Sequence, residues 1–427
     1  MTKRKICVIG LGYIGLPTSA LLATRGYDVH GVDVVQSTVD TINQGKIHIV
    51  EPELDTFVHA AVNSGKLKAD TKPAEADVFV IAVPTPFHAG FVPNIDYVVS
   101  ATKAIAPYLK AGNIVILEST SPVGTTDLVE DTLKEQRPDL FKIQNSSSNI
   151  QKSSIFIAHC PERVLPGHIM RELVENDRIV GGTTPEATQL TAQFYREFVH
   201  GEVLETDAKT AEMAKLTENS FRDTNIAFAN ELSMLCDKFG INVWELIRLA
   251  NRHPRVNILQ PGAGVGGHCI AVDPWFIVHA GGETAKMIRT AREVNNYKTE
   301  WVIEKIKNKV NEWKLNNSTL NIENSKLQPK VAIMGLAFKP DIDDLRESPA
   351  LYITQQLTKD LDNVVACEPN IPLDFDHSKL KIKNSTFELK SLEESLDSSD
   401  IFVMLVAHKE FKSLHVKSDL DFCGVLK

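Results

Sequence analysis

A single cysteine closes a glycine-rich run in the second half of the chain. The run GAGVGGHC covers residues 262–269, so Cys269 follows four glycines. Glycines let a backbone approach a bound molecule closely, and a thiolate is a strong side-chain nucleophile. A free cysteine is more often a small buried hydrophobic residue. A nucleophilic thiol needs a neighbour that favours the thiolate or accepts its proton, and Asp273, four residues later, could serve.

Three polar residues before this run share one helical spacing. Lys215, Asn219 and Arg222 follow i, i+4, i+7, which places them on one face of a helix. Such a stripe is usually a solvated surface. The apolar neighbours, Phe221 and Phe228 among them, instead predict a substantially buried helix, and a buried lysine needs a functional reason. Lys215 could supply positive charge or relay protons.

Two other segments carry side chains suited to a diphosphate. They are NRHPRVN (251–257), with Arg252, His253 and Arg255, and CPERVLPG (160–167), with Glu162 and Arg163. These residues could simply be surface charge. Arginines, however, grip phosphate oxygens through two donors at once, so their concentration favours a nucleotide ligand.

The N-terminal sequence contains a dinucleotide-binding pattern. Gly10, Gly12 and Gly15 form GxGxxG directly after an apolar strand and before a helix, and Asp33 ends the next strand. The glycines permit a tight turn and bring a helix N-terminus to a pyrophosphate, while the acid binds ribose hydroxyls and repels a 2′-phosphate. The pattern therefore predicts NAD rather than NADP. The alternative is a structural turn with a solvated aspartate.

Threonines follow two further predicted strands. Thr85 lies in AVPTP (82–86), and Thr120 and Thr126 lie in ESTSPVGTT (118–126). The carboxyl ends of parallel strands share one edge, which is where ligands bind in such sheets. Each threonine alone is more simply a structural residue, but together they become candidate site residues.

The surrounding pattern predicts three domains. Strands and helices alternate over residues 1–205, which indicates a doubly wound parallel sheet. Two long helical patterns occupy residues 206–313, and strand signals resume over residues 328–427 as a second, smaller α/β domain. Two polar stretches, at 144–154 and 314–328, are predicted to be a surface loop and a linker.

Composition narrows the class of protein. The chain has 427 residues, 43% of them hydrophobic and 24% charged, with a net charge of −9. This is typical of a globular protein, and the absence of a basic run argues against nucleic acid as a partner. The six cysteines include no CxxC pair, so neither a metal site nor a disulfide framework is predicted. The sequence contains no signal peptide or membrane span, so a cytoplasmic protein is expected.

Seven segments resemble one family in order along nearly the whole chain. They are GLGYIGLP, AVPTP, ESTSPVGTT, CPERVLPG, KLTENSFRD, GVGGHC and GLAFKPDIDDLRES. They are similar to the UDP-sugar dehydrogenase family, which includes the UDP-glucose and GDP-mannose 6-dehydrogenases. The resemblance implies an N-terminal Rossmann domain, a helical central domain and a C-terminal Rossmann-like domain. It also implies NAD as cofactor and a homodimer built on the long helix 284–313.

The resemblance further implies a four-electron oxidation. A C6 alcohol would lose a hydride to NAD, Cys269 would capture the aldehyde as a thiohemiacetal, and a second NAD would leave a thioester that water cleaves to a uronate. IHIVEPEL and NRHPRVNILQPGAGVGGHCIAVDPWF look most like members acting on UDP-N-acetylhexosamines for surface polysaccharide synthesis. The N-acetylmannosamine epimer is preferred, with N-acetylglucosamine as the alternative.

Residue roles follow from the same resemblance. Lys215 and Asn219 would stabilise an oxyanion, while Glu162 or Asp273, with Thr120, would handle water and protons. Tyr13 and Ile14 would join the cofactor site. The expected substrate residues also include Arg163, Val164, Arg222, His253, Arg255, Gly266, Phe338, Lys339 and Arg346. Relatives often end in Asp-x-Arg/Lys-Gly, but this chain has Cys423 at the basic position, so weaker substrate binding is expected.

Two other functions remain open from the sequence. A protein that binds NAD or a nucleotide sugar without catalysis would not require Cys269, Lys215 or Asn219, although all three stand in their motifs. An oxidoreductase performing a single oxidation, of the 6-phosphogluconate type, would share the N-terminal domain. That alternative gives Cys269 no role and does not explain the second α/β domain.

Overall fold

The computed structural model describes residues 4–141, 154–267, 269–318, 328–373, 387–412 and 419–425. The chain divides into two compact units, Met1–Thr217 and Glu218–Lys427. The predicted loop at 144–154 lies outside the described residues except for Ser154. The predicted linker lies outside them over 319–327. Its first residues, 314–318, are instead the last turn of a helix, so that part of the linker prediction is wrong.

Helices account for much of both units. In chain order they are α1 Gly15–Thr24, α2 Gln36–Asn43, α3 Leu54–Asn63, α4 Asp96–Ile105, α5 Thr125–Gln136, α6 Ile169–Glu175, α7 Pro185–Arg196, α8 Ala208–Phe239, α9 Val243–Ala250, α10 Asp273–Gly281, α11 Lys286–Ser318, α12 Pro349–Leu357, α13 Leu392–Ser398 and α14 Lys409–Lys412. Several start at ordinary sequence signals. Thr184 caps α7 ahead of Pro185, and Ser348 caps α12 ahead of Pro349.

The strands form two main sheets and one short hairpin. In chain order they are β1 Lys5–Ile9, β2 Asp28–Val32, β3 Leu67–Asp70, β4 Val78–Ile81, β5 Phe87–His88, β6 Val92–Pro93, β7 Ile114–Leu117, β8 Phe156–His159, β9 Arg178–Gly182, β10 Val203–Asp207, β11 Val331–Met334, β12 Val364–Cys367, β13 Glu388–Leu389, β14 Ile401–Met404 and β15 Leu420–Asp421.

The first unit is built on an eight-stranded sheet in the order β10-β9-β8-β7-β4-β1-β2-β3. Strands β1, β4 and β7 are buried along nearly their whole length, as strands covered by helices on both faces must be. The prediction of a doubly wound α/β fold is confirmed. The prediction of a wholly parallel sheet is wrong at one pair, because β8 and β9 run antiparallel. The segment between them returns to the edge where β8 ends.

The second unit joins helices to a smaller parallel sheet. Its sheet has the order β13-β12-β11-β14-β15, and all four neighbouring pairs are parallel. Helices α11 and α12 pack on this sheet through Val302, Ile306 and Ile353. This confirms the predicted C-terminal α/β fold. None of the described helices combines the length and the apolar character that crossing a membrane requires.

Candidate active site

The glycine turn after β1 is shaped by close backbone packing. Gly10 has a φ of +92°, which favours glycine, and its amide donates to Val32 O at 2.8 Å. A Cβ on Gly15 would overlap the carbonyl oxygen of Gly10. These two glycines therefore fix the turn that starts α1, independently of any ligand.

Gly12 and Asp33 fit a dinucleotide. A Cβ at Gly12 would meet no atom of the described structure within 4 Å, so nothing in the fold itself requires glycine there. The first turn of α1 contains no acidic residue, which suits an anionic pyrophosphate at the helix N-terminus. Asp33 accepts from Leu11 N at 3.1 Å and Val35 N at 2.9 Å, which holds its carboxylate at this turn. Tyr13, exposed, and Ile14, half-buried, lie on the same turn.

Two of the predicted threonines lie together, and the third is engaged elsewhere. Thr85 Oγ1 donates to Thr120 O at 2.7 Å. Thr126 is fully buried, and its amide and hydroxyl donate to Glu212 Oε1 at 2.7 and 2.6 Å. Glu212 also accepts from Gly124 N, so this carboxylate caps the N-terminus of α5. Since the hydroxyl proton of Thr126 is used by Glu212, its cofactor role stays a prediction without structural support. None of the sequence motifs indicated Glu212.

Glu162 lies just after β8 and is buried. It is 6% exposed; its Oε1 accepts from Arg163 N at 2.6 Å and its Oε2 from Arg178 Nη1 at 3.0 Å. The alternative of a surface charge is therefore excluded for Glu162. Arg163 and Val164 are half-buried, and the Arg163 guanidinium donates to Asp177 O at 3.0 Å.

Cys269 is exposed and precedes α10. Its carbonyl oxygen accepts from Val272 N at 3.0 Å and from Asp273 N at 2.8 Å, so it fixes the first turn of the helix. Asp273 is 4% exposed and its Oδ2 accepts from Asn219 Nδ2 at 2.5 Å. Cys269, Asp273 and Asn219, predicted from separate motifs, thus form one local group within the second unit.

The glycine run before Cys269 is pressed against its own unit. A Cβ on Gly264 would overlap the hydroxyl of Thr299, and one on Gly266 would overlap Glu347 O and approach Phe338 Cβ to 2.9 Å. Gly267 has a φ of +83° and donates to Arg346 O at 3.2 Å. The predicted residues Gly266, Phe338 and Arg346 are therefore neighbours. At Gly264 and Gly266 the run therefore follows a tight path that leaves no room for a side chain.

A buried polar network holds the other end of the run. Asn230 Oδ1 accepts from Gly262 N at 2.9 Å, and its amide donates to Asn295 Oδ1 at the same distance. Asn295 in turn donates to Asp223, which pairs with Arg292 at 2.7 Å. All four side chains are buried. The helical spacing of Lys215, Asn219 and Arg222 did not predict this network.

The prediction that α8 buries Phe221 and Phe228 is wrong. They are 68% and 55% exposed, because this apolar face of the helix is not covered by the described parts of the chain. Lys215 is half-buried and Arg222 is exposed. The buried lysine is instead Lys298 on α11, which donates to Ser233 Oγ at 2.7 Å and lies 3.9 Å from the centre of the Trp301 ring. Burial lowers the pKa of Lys298 to about 7.

The basic candidates lie at exposed positions. Arg252, His253 and Arg255 follow α9 and are exposed. Lys339 is half-buried, whereas the exposed Arg346 pairs with Asp344 at 2.6 Å. At the C-terminal end, Asp421 accepts from the amides of Cys423 and Gly424 at 3.1 and 2.7 Å. These bonds to backbone amides hold the turn without a basic side chain at position 423.

The second sheet repeats one feature of the first. Glu368 follows β12 and accepts from Leu336 N at 2.7 Å, as Asp33 accepts from Leu11 N. Unlike Asp33, Glu368 is 4% exposed and pairs with the buried His408 at 3.1 Å. No metal site was predicted, yet His408, Asp341 and Glu410 bring potential ligand atoms within 4.8 Å of one another. Both ring nitrogens of His408 already have protein partners.

A doubly wound sheet whose glycine turn leaves room at a helix N-terminus is the architecture of dinucleotide-dependent oxidoreductases. Residues 4–199 match the NAD binding domain of the UDP-glucose/GDP-mannose dehydrogenase family. Residues 209–297 match its central domain, and residues 332–421 its UDP binding domain. The chain therefore belongs to this family of NAD-dependent dehydrogenases, and NAD is its cofactor.

Similar proteins share nearly the full length of the chain. A UDP-N-acetyl-D-mannosamine dehydrogenase of Campylobacter jejuni is 56% identical over 98% of this chain and 99% of its own. An NDP-N-acetyl-D-galactosaminuronic acid dehydrogenase of Ralstonia nicotianae is 54% identical over 96% of this chain and 92% of its own. The structure of a UDP-D-ManNAc dehydrogenase from Pyrococcus horikoshii has a TM-score of 0.83 at 36% identity, covering 99% and 96% of the two chains.

Asp33→Asn should weaken the preference for NAD over NADP. The amide keeps an oxygen that can accept from Leu11 N, but it no longer repels a 2′-phosphate. We expect the ratio of kcat/KM for the two cofactors to fall by about tenfold or more, equivalent to roughly 1.4 kcal/mol. Asp28→Asn, at the exposed start of the same strand, is the matched control. An unchanged ratio in Asp33→Asn would mean that this carboxylate does not face the ribose.

Gly266→Ala and Gly262→Ala form a matched pair in the glycine run. The first places a methyl group on Glu347 O and Phe338, whereas a Cβ on Gly262 meets only Gly264 O at 3.8 Å. We expect Gly266→Ala to destabilise the protein by about 1–3 kcal/mol and to lower kcat. Gly262→Ala should behave like the wild type. Thermal unfolding and initial rates check this, and equal behaviour of the two variants would contradict the close packing.

Proposed function

We propose that the chain oxidises UDP-N-acetyl-D-mannosamine at C6 to UDP-N-acetyl-D-mannosaminuronate, consuming two NAD. The observation that carries the proposal is the exposed thiol of Cys269 at the start of α10, beside the buried Asp273–Asn219 pair. The names of the similar proteins from Campylobacter jejuni and Pyrococcus horikoshii support the sugar. The alternative substrate is UDP-N-acetyl-D-glucosamine.

The thiol explains how one enzyme performs two oxidations. NAD, when bound, accepts a hydride in each of them. In the first, the C6 alcohol loses a hydride and a proton and becomes an aldehyde. An aldehyde has no readily lost hydride until a nucleophile adds, so Cys269 Sγ bonds to C6 and forms a thiohemiacetal. Loss of the second hydride leaves a thioester, and water then adds at C6 while the C–S bond breaks, giving the carboxylate.

Polar side chains provide the remaining chemistry. Asn219 and Lys215 stabilise the oxygen of C6 when it carries negative charge. Asn219 is well prepared for this role, because Asp273 binds its amide and fixes its orientation. Glu162 or Asp273, with Thr120, moves protons and activates water. Glu162 is preorganised in the same way by two donors.

The nucleotide sugar is assigned to basic and backbone groups. The basic side chains among them can donate to phosphate or sugar oxygens, and the assigned residues are Arg163, Val164, Arg222, His253, Arg255, Gly266, Phe338, Lys339 and Arg346. Gly266 and Phe338 support this assignment because they are packed together and hold the loop beside Cys269. The cofactor is assigned to Gly10, Gly12, Tyr13, Ile14, Gly15, Asp33, Thr85 and Thr126.

The larger organisation is also part of the proposal. The domains are residues 1–205 for NAD, 206–313 for the helical centre and 328–427 for the UDP-sugar. The chain works in the cytoplasm as a homodimer and supplies surface polysaccharide synthesis. An apolar stripe on α8 supports self-association: Phe221, Phe228, Leu235 and Phe239 are all at least 41% exposed and are spaced by seven or four residues.

A panel of nucleotide sugars tests the substrate. NADH production should be fastest with UDP-N-acetyl-D-mannosamine, and slower by about tenfold or more with its C2 epimer, UDP-N-acetyl-D-glucosamine, because one misplaced hydrogen bond costs roughly 1–3 kcal/mol. UDP-N-acetyl-D-galactosamine and UDP-glucose complete the panel, since one relative is named for a galactosaminuronic acid. Faster oxidation of any other member would replace the proposed sugar, and no oxidation of any member would favour a binding protein.

Cys269→Ser should bind UDP-sugar and NAD yet lose turnover by several orders of magnitude, because a whole covalent route is removed. Cys423→Ser is the matched control, since that thiol is also accessible but has no assigned role. Intact-mass spectrometry after incubation with substrate and NAD should reveal any ester trapped on the serine. Near-normal uronate formation by Cys269→Ser would show that the thiol is not the nucleophile.

A further inference from the structure

The first unit contains a cluster of charged side chains buried at one edge of its sheet. Glu118 follows β7, Glu162 follows β8, and Arg178 begins β9, with exposures of 2%, 6% and 2%. Because β8 and β9 are antiparallel, the start of β9 lies beside the end of β8. Tyr195 on α7, 1% exposed, completes the cluster. Two carboxylates and one guanidinium are therefore enclosed together.

The contacts connect the two carboxylates through Arg178 and Tyr195. Arg178 Nη1 donates to Glu162 Oε2 at 3.0 Å, and its Nη2 donates to Leu173 O at 3.1 Å. The Tyr195 hydroxyl donates to Glu118 Oε1 at 2.6 Å, and the Arg178 guanidinium lies 5.6 Å from the centre of the Tyr195 ring. One positive charge thus faces two acids, and an uncompensated buried charge is costly.

The hydrogen-bond pattern distinguishes the two acids. Both oxygens of Glu162 accept from donors, Arg163 N and Arg178 Nη1, as a carboxylate should. Glu118 Oε2 is buried and has no hydrogen-bond partner among the described residues. A buried carboxylate oxygen without a donor is costly when it is ionised, and a proton on Oε2 removes that charge.

We propose that Glu118 holds a proton below neutral pH and that Glu118, Tyr195 and Arg178 are positioning residues for Glu162. With Glu118 neutral, the charge of Arg178 is committed to the Glu162 carboxylate, whose orientation is held by Arg163 N and Arg178 Nη1. When Glu118 ionises, the two carboxylates compete for Arg178. The inference rests on the proposed function, in which Glu162 moves protons, and adds a group that sets the pH range of that step.

The electrostatics agree with this arrangement. Burial raises the pKa of Glu118 to about 7; Arg178 opposes the rise, Glu162 adds to it, and Tyr195 opposes it through a hydrogen bond. The other ionisable groups that face the cluster do not titrate in this range. Burial raises the pKa of Cys160 to about 12 and lowers that of His159 to about 3, and it also raises the pKa of Tyr195.

Glu118→Gln tests the proposal, because a glutamine mimics the protonated acid at every pH. An acid whose pKa is raised on folding loses stability as pH rises to the folded value, here about 7. The difference in Tm between Glu118→Gln and wild type should therefore grow from pH 5 to about pH 7 and stay constant above it. In wild type, kcat should decline as pH rises and Glu118 ionises. Glu118→Gln should not show this decline, and its KM should change little. Infrared difference spectra should show a carboxylic-acid band in wild type that is missing in the variant.

Two further variants keep the test decisive. Glu197→Gln removes the acid of another tyrosine–glutamate pair, Tyr27–Glu197. The Glu197 side chain is 42% exposed, so this substitution should leave the pH profile of kcat unchanged. Tyr195→Phe removes the donor that stabilises ionised Glu118, so the alkaline midpoint should move to higher pH. This readout does not require Glu118→Gln to fold.

The outcomes separate this inference from the proposed function. Normal turnover by Glu162→Gln would overturn the role of Glu162 itself and leave Glu118 nothing to position. A different outcome would refute only the proton on Glu118. In that outcome Glu162→Gln is inactive, but the pH profiles of kcat for Glu118→Gln and Tyr195→Phe match the profile of Glu197→Gln. The proposal would be supported by a pH-dependent increase in the Tm of Glu118→Gln over wild type, together with a higher midpoint of the kcat profile in Tyr195→Phe.

Discussion

The tight path of the glycine run at 262–267 is the constraint on which the chemistry proposed for this chain depends. No side chain fits at Gly264 against Thr299, nor at Gly266 against Glu347 and Phe338. Asn230 holds the start of the run, and the amide of Gly267 is bound at its end. The exposed Cys269 follows the run, and its carbonyl oxygen accepts from the amides of Val272 and Asp273 where α10 begins.

The two units share one kind of hydrogen bond, between a carboxylate and a backbone amide, but the carboxylates differ in their surroundings. In each, an acid after the second strand of the sheet accepts from the amide that follows the first strand. Asp33 remains partly accessible, which suits an acid that faces a ribose, whereas Glu368 is enclosed with His408. The fold pattern is thus repeated, and the second copy lies in the region that matches a UDP binding domain, residues 332–421. The first copy lies in the region that matches an NAD binding domain, residues 4–199.

Local patterns in the sequence were sufficient for the elements and for several site residues. The glycine turn, the long helices and the Cys269 motif all depend on neighbours within a few residues. The antiparallel β9 could not be foreseen, because its direction is set by how the segment after β8 returns to the sheet. Glu118, Arg178 and Glu212 were missed for the same reason: each acts through partners 16 to 88 residues away. The spacing of apolar residues predicts which residues share a helix face, but it does not predict whether that face is buried. The exposed Phe221 is an example.

The number of NADH molecules formed for each uronate tests the covalent account most directly. Limiting UDP-N-acetyl-D-mannosamine should be converted completely, with NADH followed by absorbance and the uronate by chromatography of the same sample. A thiol that retains the aldehyde through the second oxidation predicts two NADH per uronate, with no free aldehyde at any time. One NADH for each sugar consumed, with aldehyde accumulating in solution, would contradict the role assigned to Cys269.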